Sequence, residues 1–327
     1  MGWYAFRKLS QYVVVLGAAV VINFMLPRLA PGDPLDYLLG SETQLTEAQR
    51  QQILSQFGLD DSTWTQFGRY LTELAHGNLG ISVRYGEPVS DILRDRVPST
   101  LALVGVAIVL STLIGVTLGV LAAWKRGGKT DIAALSAVMF LDSTPLFFLG
   151  MVVLGIFAVE LGWFPVFGGV PIGGETGLEL GLETLRHLVL PAATLTIGTL
   201  GAVFLVTRYA MVASLREDFL FLSEATGLSR RRILFRHALR NSLLPIMTLV
   251  MLEIGFLFGG AIVVETVFSY PGLGRLIFES TLARDYPLLQ GAFLLLAIGV
   301  VSANLLADLL YPILDPRVRR PAPPGNQ

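Results

Sequence analysis

Six long apolar segments are the feature that most restricts the fold of this chain. They occupy residues 9–29, 99–124, 132–159, 188–213, 243–266 and 288–311. Each is long enough for a helix that crosses the hydrocarbon core of a bilayer, which takes about 20 mostly apolar residues. Because lipid offers no hydrogen-bond partners, a spanning backbone must pair its own N–H and C=O groups, as a helix does. The sequence therefore predicts an all-α integral membrane protein with six transmembrane helices.

The composition agrees with residence in a lipid bilayer and narrows the possible chemistry. Only 15% of the residues are charged, against roughly 25% in soluble domains. The chain has no cysteine, which excludes disulfides, thiolate catalysis and thiolate-ligated metals. Its three histidines are scattered at His76, His187 and His237. We therefore expect no metal site in this chain, and no nucleic acid partner.

The apolar run at 12–26 follows Arg7 and Lys8, as it would in a signal peptide. It is longer than a secretory hydrophobic region, and no small-x-small cleavage site follows it. We interpret residues 1–30 as a cytoplasmic N-terminus and an uncleaved first helix. The rest divides into an external segment (31–98), a permease domain (95–311) and a cytoplasmic tail (312–327).

Basic residues mark alternate loops of the six-helix topology. They are Arg7, Lys8, Lys125, Arg126, Lys129, Arg216, Arg230, Arg231, Arg232, Arg236, Arg240, Arg317, Arg319 and Arg320. With six spans, these loops and both termini share one side of the membrane, which the positive-inside rule makes cytoplasmic. The loop at 160–187, which carries four glutamates, then lies outside.

The polar segment 31–98 separates the first two predicted spans. Thr46 and Gln49 form a capping box, so a short helix is predicted at 46–57. A second helix is predicted at 62–76, where apolar residues recur at helical spacing. Together these helices form a small extracytoplasmic cap. The cap either meets an extracytoplasmic partner or packs as a lid over the ends of the membrane helices.

The loop at 214–242 is the most informative stretch for mechanism. Helices are predicted at 215–226 and 230–240, with Gly227 ending the first one in a left-handed conformation. Passive connections are usually short and polar, whereas this loop sets apolar side chains among arginines. It favours docking into a groove of a soluble partner; the alternative is a basic loop on anionic lipid headgroups. The residues predicted to act there are Glu224, Ala225, Gly227, Leu228, Arg231, Phe235 and Arg236, with Leu228 and Phe235 as apolar anchors and the two arginines at the rim.

The same loop reads EATGLSRRRILFRHALRN at 224–241 and resembles the coupling loop of peptide-type ABC importer permeases. The general signature of that family is Glu-Ala-Ala, three residues, Gly, and a distal Ile-x-Leu-Pro. Only Gly227 and Leu239 of this signature remain here, which is a departure common in the peptide branch. Contacts that depend on Glu-Ala-Ala are therefore not carried over.

Further motifs extend the resemblance over nearly the whole chain. They are PGDP at 31–34, GNLGIS at 77–82, VPST at 97–100, VETVFSYPGLG at 264–274, ARDYP at 283–287 and LLYPILDPR at 309–317. Each motif is weak alone, but their order and spacing are specific. The resemblance implies the type I ABC importer permease fold in the cytoplasmic (inner) membrane of a bacterium or archaeon. It also implies a second homologous permease subunit, two ATP-binding subunits that hold ATP and Mg, and an extracytoplasmic solute-binding protein.

Residues 128–130 (GKT) match the end of a phosphate-binding loop. The complete motif needs a glycine where Ala123 stands, and it follows a strand, whereas a predicted membrane helix precedes it here. We therefore expect no ATP site and no cofactor in this chain. It is predicted not to be an enzyme, and ATP hydrolysis is expected in the partner subunits.

Four carboxylates lie in or near the predicted spans. They are Asp142, Glu253, Glu265 and Asp308. Since a carboxylate at a helix centre costs about 3 kcal/mol, such residues usually face a cavity or another helix. Asp308 favours an interhelical hydrogen bond. Pro145 lacks a backbone donor and kinks the third helix, so Asp142, Ser143, Pro145 and Glu253 are predicted to border a translocation pathway.

The sequence thus predicts a permease subunit that forms half of a pathway for di- or oligopeptides and couples it to separate ATPases. Nickel chelates or glutathione-like peptides are alternative cargoes for the same architecture. A proton-coupled secondary transporter is the alternative from another class. Such a transporter would not need the long basic loop, and it often shows two repeated halves.

The predicted topology can be tested with cysteines, because the chain has none of its own. In Ser62→Cys and Arg320→Cys variants, a membrane-impermeant maleimide should label position 62 only from outside and position 320 only from the cytoplasm. Right-side-out vesicles measure labelling from outside, and inverted vesicles measure labelling from the cytoplasmic side. Labelling of position 62 from the cytoplasmic side would overturn the six-span topology.

Overall fold

The structure is a computed structural model. It describes the backbone of residues 2–29, 46, 49, 51, 61–168, 177–217, 228–229 and 232–314, and their side chains outside 2–7, 255–258, 260, 307 and 309–314. Apart from one isolated bridge between Ile81 and Pro88, the regular structure of the described residues is helical. The predicted all-α class is confirmed.

Nine α-helices run through the described residues. They are α1 (Gly2–Leu29), α2 (Thr63–Ala75), α3 (Val89–Trp124), α4 (Lys129–Asp142), α5 (Leu146–Leu154), α6 (Leu178–Ser214), α7 (Leu239–Val267), α8 (Leu273–Ala283) and α9 (Tyr286–Leu314). A π-helical turn, Gly155–Glu160, extends α5, and another, Ile233–Ala238, leads into α7.

The most extensive helix–helix contact among the described residues joins α3 and α6, which run parallel. Two glycines of α3 allow it. A Cβ atom at Gly115 would lie 2.8 Å from Val203, and one at Gly119 would lie 2.7 Å from Thr207. Real Cβ atoms do not approach other heavy atoms so closely, so these backbones meet only because both positions lack a side chain. Such contacts are a common way to pack helices in lipid, where no hydrophobic effect drives them together.

Helix α1 packs chiefly against α9 and is fastened to it by polar contacts near both ends. Near the N-terminal end of α1, Lys8 forms an ion pair with Asp308 (2.8 Å), and the Tyr12 hydroxyl donates to the same carboxylate (2.7 Å). Near the other end, the side-chain amides of Asn23 and Gln290 each donate to the backbone carbonyl of the other residue, at 2.7 and 2.9 Å. The interhelical hydrogen bond predicted for Asp308 is confirmed.

The span prediction is matched in part. Among the described residues, four helices are long and apolar enough to cross a membrane: Lys8–Leu29, Val89–Trp124, Leu178–Ser214 and Tyr286–Leu306. The bent pair Lys129–Asp142 and Leu146–Glu160 raises the number to five if it forms one span. The segment predicted at 243–266 lies within α7, and the count of six remains a prediction.

The third predicted span, 132–159, is two helices rather than one. Helix α4 ends at Asp142, and α5 begins after Pro145 at an angle of 98°. Pro145 is the residue just before α5. At the start of a helix the backbone N–H groups have no partner within the helix, so the N–H that proline lacks costs no helical hydrogen bond. The hydroxyls of Ser143 and Thr144 both donate to the Phe140 carbonyl at 2.9 Å. The expected kink is thus a full break, stabilised by local side chains.

In the cap, the second predicted helix is present as α2. The Ser62 side chain accepts a hydrogen bond from the Thr65 N–H and caps it, and Gly77 follows with φ of +75°. The first predicted cap helix, at 46–57, lies outside the described residues except for three positions. At two of these, the Thr46 hydroxyl and the Gln49 side chain make the hydrogen bonds of a capping box.

A buried carboxylate joins α3, α7 and α8. Glu265 has no solvent exposure, and it accepts from the Thr100 hydroxyl (2.7 Å) and from the Arg275 N–H (3.1 Å). The Leu273 N–H in turn donates to the Thr100 oxygen at 2.8 Å. Gly272 leaves room for the carboxylate, since a Cβ there would overlap it. The Glu265 carboxylate therefore satisfies donors at the start of α8, where a helix favours negative charge.

Replacing Glu265 with alanine should destabilise the protein more than replacing any exposed carboxylate nearby. Glu265→Ala leaves the Thr100 hydroxyl and an N–H of α8 without their buried partner, which costs about 1–3 kcal/mol. Glu279→Ala is the matched control, because Glu279 pairs with Arg275 on the same helix in a more exposed position, where ion pairs contribute about 0–1 kcal/mol. Thermal unfolding of the purified transporter in detergent measures both. Equal effects would contradict the capping role.

Candidate coupling surface and translocation pathway

The predicted coupling loop is described only in part. Glu224, Ala225, Gly227 and Arg231 lie outside the described residues, so their predicted roles are carried forward as proposals. Leu228, Phe235 and Arg236 are described.

An apolar cluster holds the end of the loop against the membrane helices. Its buried members are Val120, Ala123, Met211, Ile233, Leu234 and Ala238, and Leu228 packs against them. Residues 120 and 123 end α3, and residue 211 lies near the end of α6. The Leu228 side chain, predicted to anchor a partner, thus contacts the chain's own core and is only partly exposed.

The second predicted loop helix, at 230–240, is not a separate element. Residues Ile233–Ala238 form a π-helical turn, and the backbone stays helical through Leu239 into α7. Pro245 lies inside α7 without ending it. The end of the loop and α7 are therefore one continuous rod. Residue 235 therefore belongs to the same continuous helix as the span predicted at 243–266.

Hydrogen bonds tie this rod to the end of α6. Ser214 is the last residue of α6, and its hydroxyl donates to the Ala238 carbonyl at 3.3 Å. The Asn241 amide donates to Glu217 at 3.1 Å. These contacts could not be predicted from local sequence patterns, because their partners are 24 residues apart.

The outer face of the π-helical turn is open. Phe235 is 47% exposed, and Arg232, Arg236 and Arg240 are exposed as well, whereas Ile233 and Leu234 point into the apolar cluster. We name Phe235 with these three arginines the coupling face. An exposed aromatic side chain and three exposed arginines on one helical stretch are typical of protein interfaces, where aromatic and arginine side chains are enriched.

A buried ion pair between α4 and α6 was not predicted from the sequence. The Arg208 guanidinium of α6 donates two hydrogen bonds of 2.7 Å to the Asp131 carboxylate of α4. Asp131 also accepts from the Gly127 N–H at 2.9 Å. The signal was an arginine inside a predicted span, which is costly in lipid without a partner. The pair fixes the start of α4 to α6, just after the GKT stretch.

The predicted pathway residues come together around the break between α4 and α5. The Asp142 side chain lies directly against Gly201 of α6, and Leu146 lies against Gly198 one turn earlier. Asp142, Ser143 and Pro145 are exposed. Glu253 of α7 is partly exposed and close enough to Asp142 for their charges to interact.

Neither carboxylate is paired with a cation in the described part of the chain. Among the described side chains, no ion pair includes Asp142 or Glu253. The end of α4 and α7 thus each contribute one acidic group to this region, in which Asp142 is exposed and Glu253 is partly exposed. The described geometry brings the four predicted pathway residues into one region.

A family profile and individual relatives indicate the same kind of protein. The sequence profile of the family described as "Binding-protein-dependent transport system inner membrane component" matches residues 115–320. The oligopeptide transport system permease protein AppB of Bacillus subtilis is 34% identical over 319 residues, covering 97% of this chain and 99% of the relative. The dipeptide transport system permease protein DppB of Escherichia coli K12 is 34% identical over 333 residues, covering 96% and 97%.

A solved structure agrees on the fold. A chain of the MetNI methionine ABC transporter, in an inward-facing conformation, superposes with a TM-score of 0.56 at 19% identity. The match covers 68% of this chain and 96% of that one. The fold is that of the type I ABC importer permeases, and this chain is longer than the part they share.

The profile match, the near full-length relatives and the shared helical core agree with one another. The chain therefore belongs to the family of inner membrane components of binding-protein-dependent transport systems.

Proposed function

We propose that this chain is a permease subunit of an ABC importer for di- or oligopeptides, in which it forms half of the translocation pathway. The observation that carries this proposal is the near full-length similarity to peptide permeases such as AppB and DppB. Nickel chelates and glutathione-like peptides remain alternative cargoes, and uptake of labelled peptides of different lengths by the assembled transporter tests them. The solute-binding protein is expected to choose the cargo.

The remaining subunits of the transporter are part of the proposal. A second homologous permease would close the pathway, and two ATP-binding subunits would hold ATP and Mg. In this chain, the GKT stretch begins α4 directly after helix α3, whereas a phosphate-binding loop follows a strand. That context supports placing hydrolysis in the partners. Both termini would be cytoplasmic, which puts the coupling face beside the ATPases and α2 outside.

The coupling face would receive the motion of the ATPases. Phe235 would insert into a groove of the ATPase, with Arg236 and the undescribed Arg231 at the rim and Gly227 as the hinge of the loop. Because Phe235 belongs to the same rod as α7, rigid-body displacement of the rod would move Glu253 relative to Asp142. Alternating access by such rigid-body motion needs only two packed arrangements of the helices.

The acidic region around the α4–α5 break would border the pathway. A peptide carries an ammonium group at its N-terminus, and carboxylates without a cationic neighbour favour the passage of cations. Ser143 and Pro145, which are exposed beside Asp142, would belong to the same surface, and this surface would face the second subunit. Lipid would surround the remaining apolar faces.

Phe235→Ala should weaken ATPase binding and abolish uptake while membrane insertion stays normal. Truncating a central aromatic anchor often costs about 2 kcal/mol or more, which is on the order of thirtyfold in affinity. Arg236→Ala is the matched control, since the neighbouring rim charge should change encounter more than affinity. Pull-down of the ATPases with each variant, beside peptide uptake, measures both. If arginine removal does more harm than Phe235→Ala, the loop rests on lipid headgroups instead.

Asp142→Asn should reduce peptide uptake without dissociating the complex. The amide keeps the shape of the side chain against Gly201 and removes only its charge. Uptake in vesicles, with copurification of the partner subunits as the control, distinguishes a role of Asp142 in the pathway from a structural role. Unchanged uptake with a lower melting temperature would make Asp142 a structural residue.

A further inference from the structure

Helix α2 sits beside the last turns of a membrane-spanning helix. The Phe24 ring of α1 contacts the rings of Phe67 and Tyr70, with centroids 5.0 and 5.5 Å apart. Arg28 of α1 donates a hydrogen bond to the Gln66 side chain. Since the apolar span of α1 runs from Lys8 to Leu29, these contacts place α2 at the depth where the span leaves the membrane.

The start of α9 independently indicates that α2 lies at this depth. A cavity of about 320 Å³ separates α2 from α9. Pro287, Gln290 and Leu294, from the first turns of α9, line one wall, and Tyr70 and Glu73 of α2 line the other. Two spans therefore agree that α2 lies at the boundary between membrane and water.

The side chains of α2 divide into three faces. Phe67, Tyr70 and Leu74 are partly buried and form the docked face. Trp64 and Leu71 lie on a flank of the helix, seven positions apart and thus nearly above one another. The remaining exposed face is polar and includes Thr65 and Thr72.

The apolar flank is open in the described part of the chain. Trp64 is 83% exposed and Leu71 is 40% exposed. Tryptophan is enriched at membrane–water interfaces, because its ring is apolar and its N–H is polar. A helix with Trp and Leu on one side and polar residues on the other, held at that depth, has the design of an interfacial helix.

We propose that α2 lies in the headgroup region of the outer leaflet, with Trp64 and Leu71 immersed in lipid. The charges of α2 cancel, since Arg69 and Glu73 are its only ionised residues. Immersion therefore depends on apolar area rather than on anionic lipid. The extracytoplasmic side follows from the orientation proposed above, but immersion itself depends neither on that orientation nor on the cargo.

Nitroxide labelling tests the proposal on the assembled transporter in nanodiscs. Trp64→Cys and Leu71→Cys are the test positions, and Thr65→Cys and Thr72→Cys are matched controls one residue away. The chain has no other cysteine, and accessible cysteines of the partner subunits would be replaced. In phosphatidylcholine, collisions with oxygen should exceed those with a water-soluble nickel chelate at 64 and 71, and the order should reverse at 65 and 72. Adding phosphatidylglycerol should leave this pattern unchanged.

Three outcomes would overturn the proposal. Equal nickel accessibility at positions 64 and 65 would place the flank in water. Protection of positions 64 and 71 from both reagents would mean that a protein, such as the solute-binding protein, covers the flank. A lipid pattern that appears only with phosphatidylglycerol would contradict immersion through apolar area. Leu71 keeps the test decisive if the label at position 64 disturbs the helix.

Discussion

The fold depends on the close approach of α3 and α6 at Gly115 and Gly119. In lipid, helices gain little from hiding apolar surface from water, so close packing of complementary surfaces must hold them together. Two missing side chains let the α3 backbone reach Val203 and Thr207. The apolar cluster near residue 120 forms where the same two helices end, and the coupling face is built on that cluster.

The same packing attaches the coupling face to the membrane helices. Its inner side chains are buried against α3 and α6, its backbone is continuous with α7, and Ser214 and Asn241 add polar ties. A π-helical turn holds one more residue per hydrogen-bonded turn than an α-helix. Here the turn joins the loop to α7 without interrupting the chain of backbone hydrogen bonds. In the proposed coupling, a load on the exposed Phe235 ring would therefore be transmitted to α7.

Hydropathy and helix signals predicted most of the described helices, because both act over a few neighbouring residues. Ser62, for example, identified the start of α2 correctly. The partners of Glu265 and Asp131 were not predictable, since Thr100 and Arg208 are 165 and 77 residues away in sequence. The 98° break after Asp142 was expected only as a kink at Pro145, because its angle depends on how Leu146 and Asp142 fit against α6. The gathering of Asp142 and Glu253 likewise depends on tertiary packing.

The polar contacts between α1 and α9 have a consequence for how the protein is made. Helix α9 is synthesised after every other described helix, so Asp308 and Gln290 emerge last. Until then α1 lacks the helix that it chiefly packs against, and the Lys8 and Tyr12 side chains, near its N-terminal end, can extend toward the headgroups meanwhile. Assembly of the described helices would therefore include a late pairing of α1 with α9, and a nascent chain stalled before α9 should leave the polar side chains of α1 without these partners, where membrane quality control can recognise them.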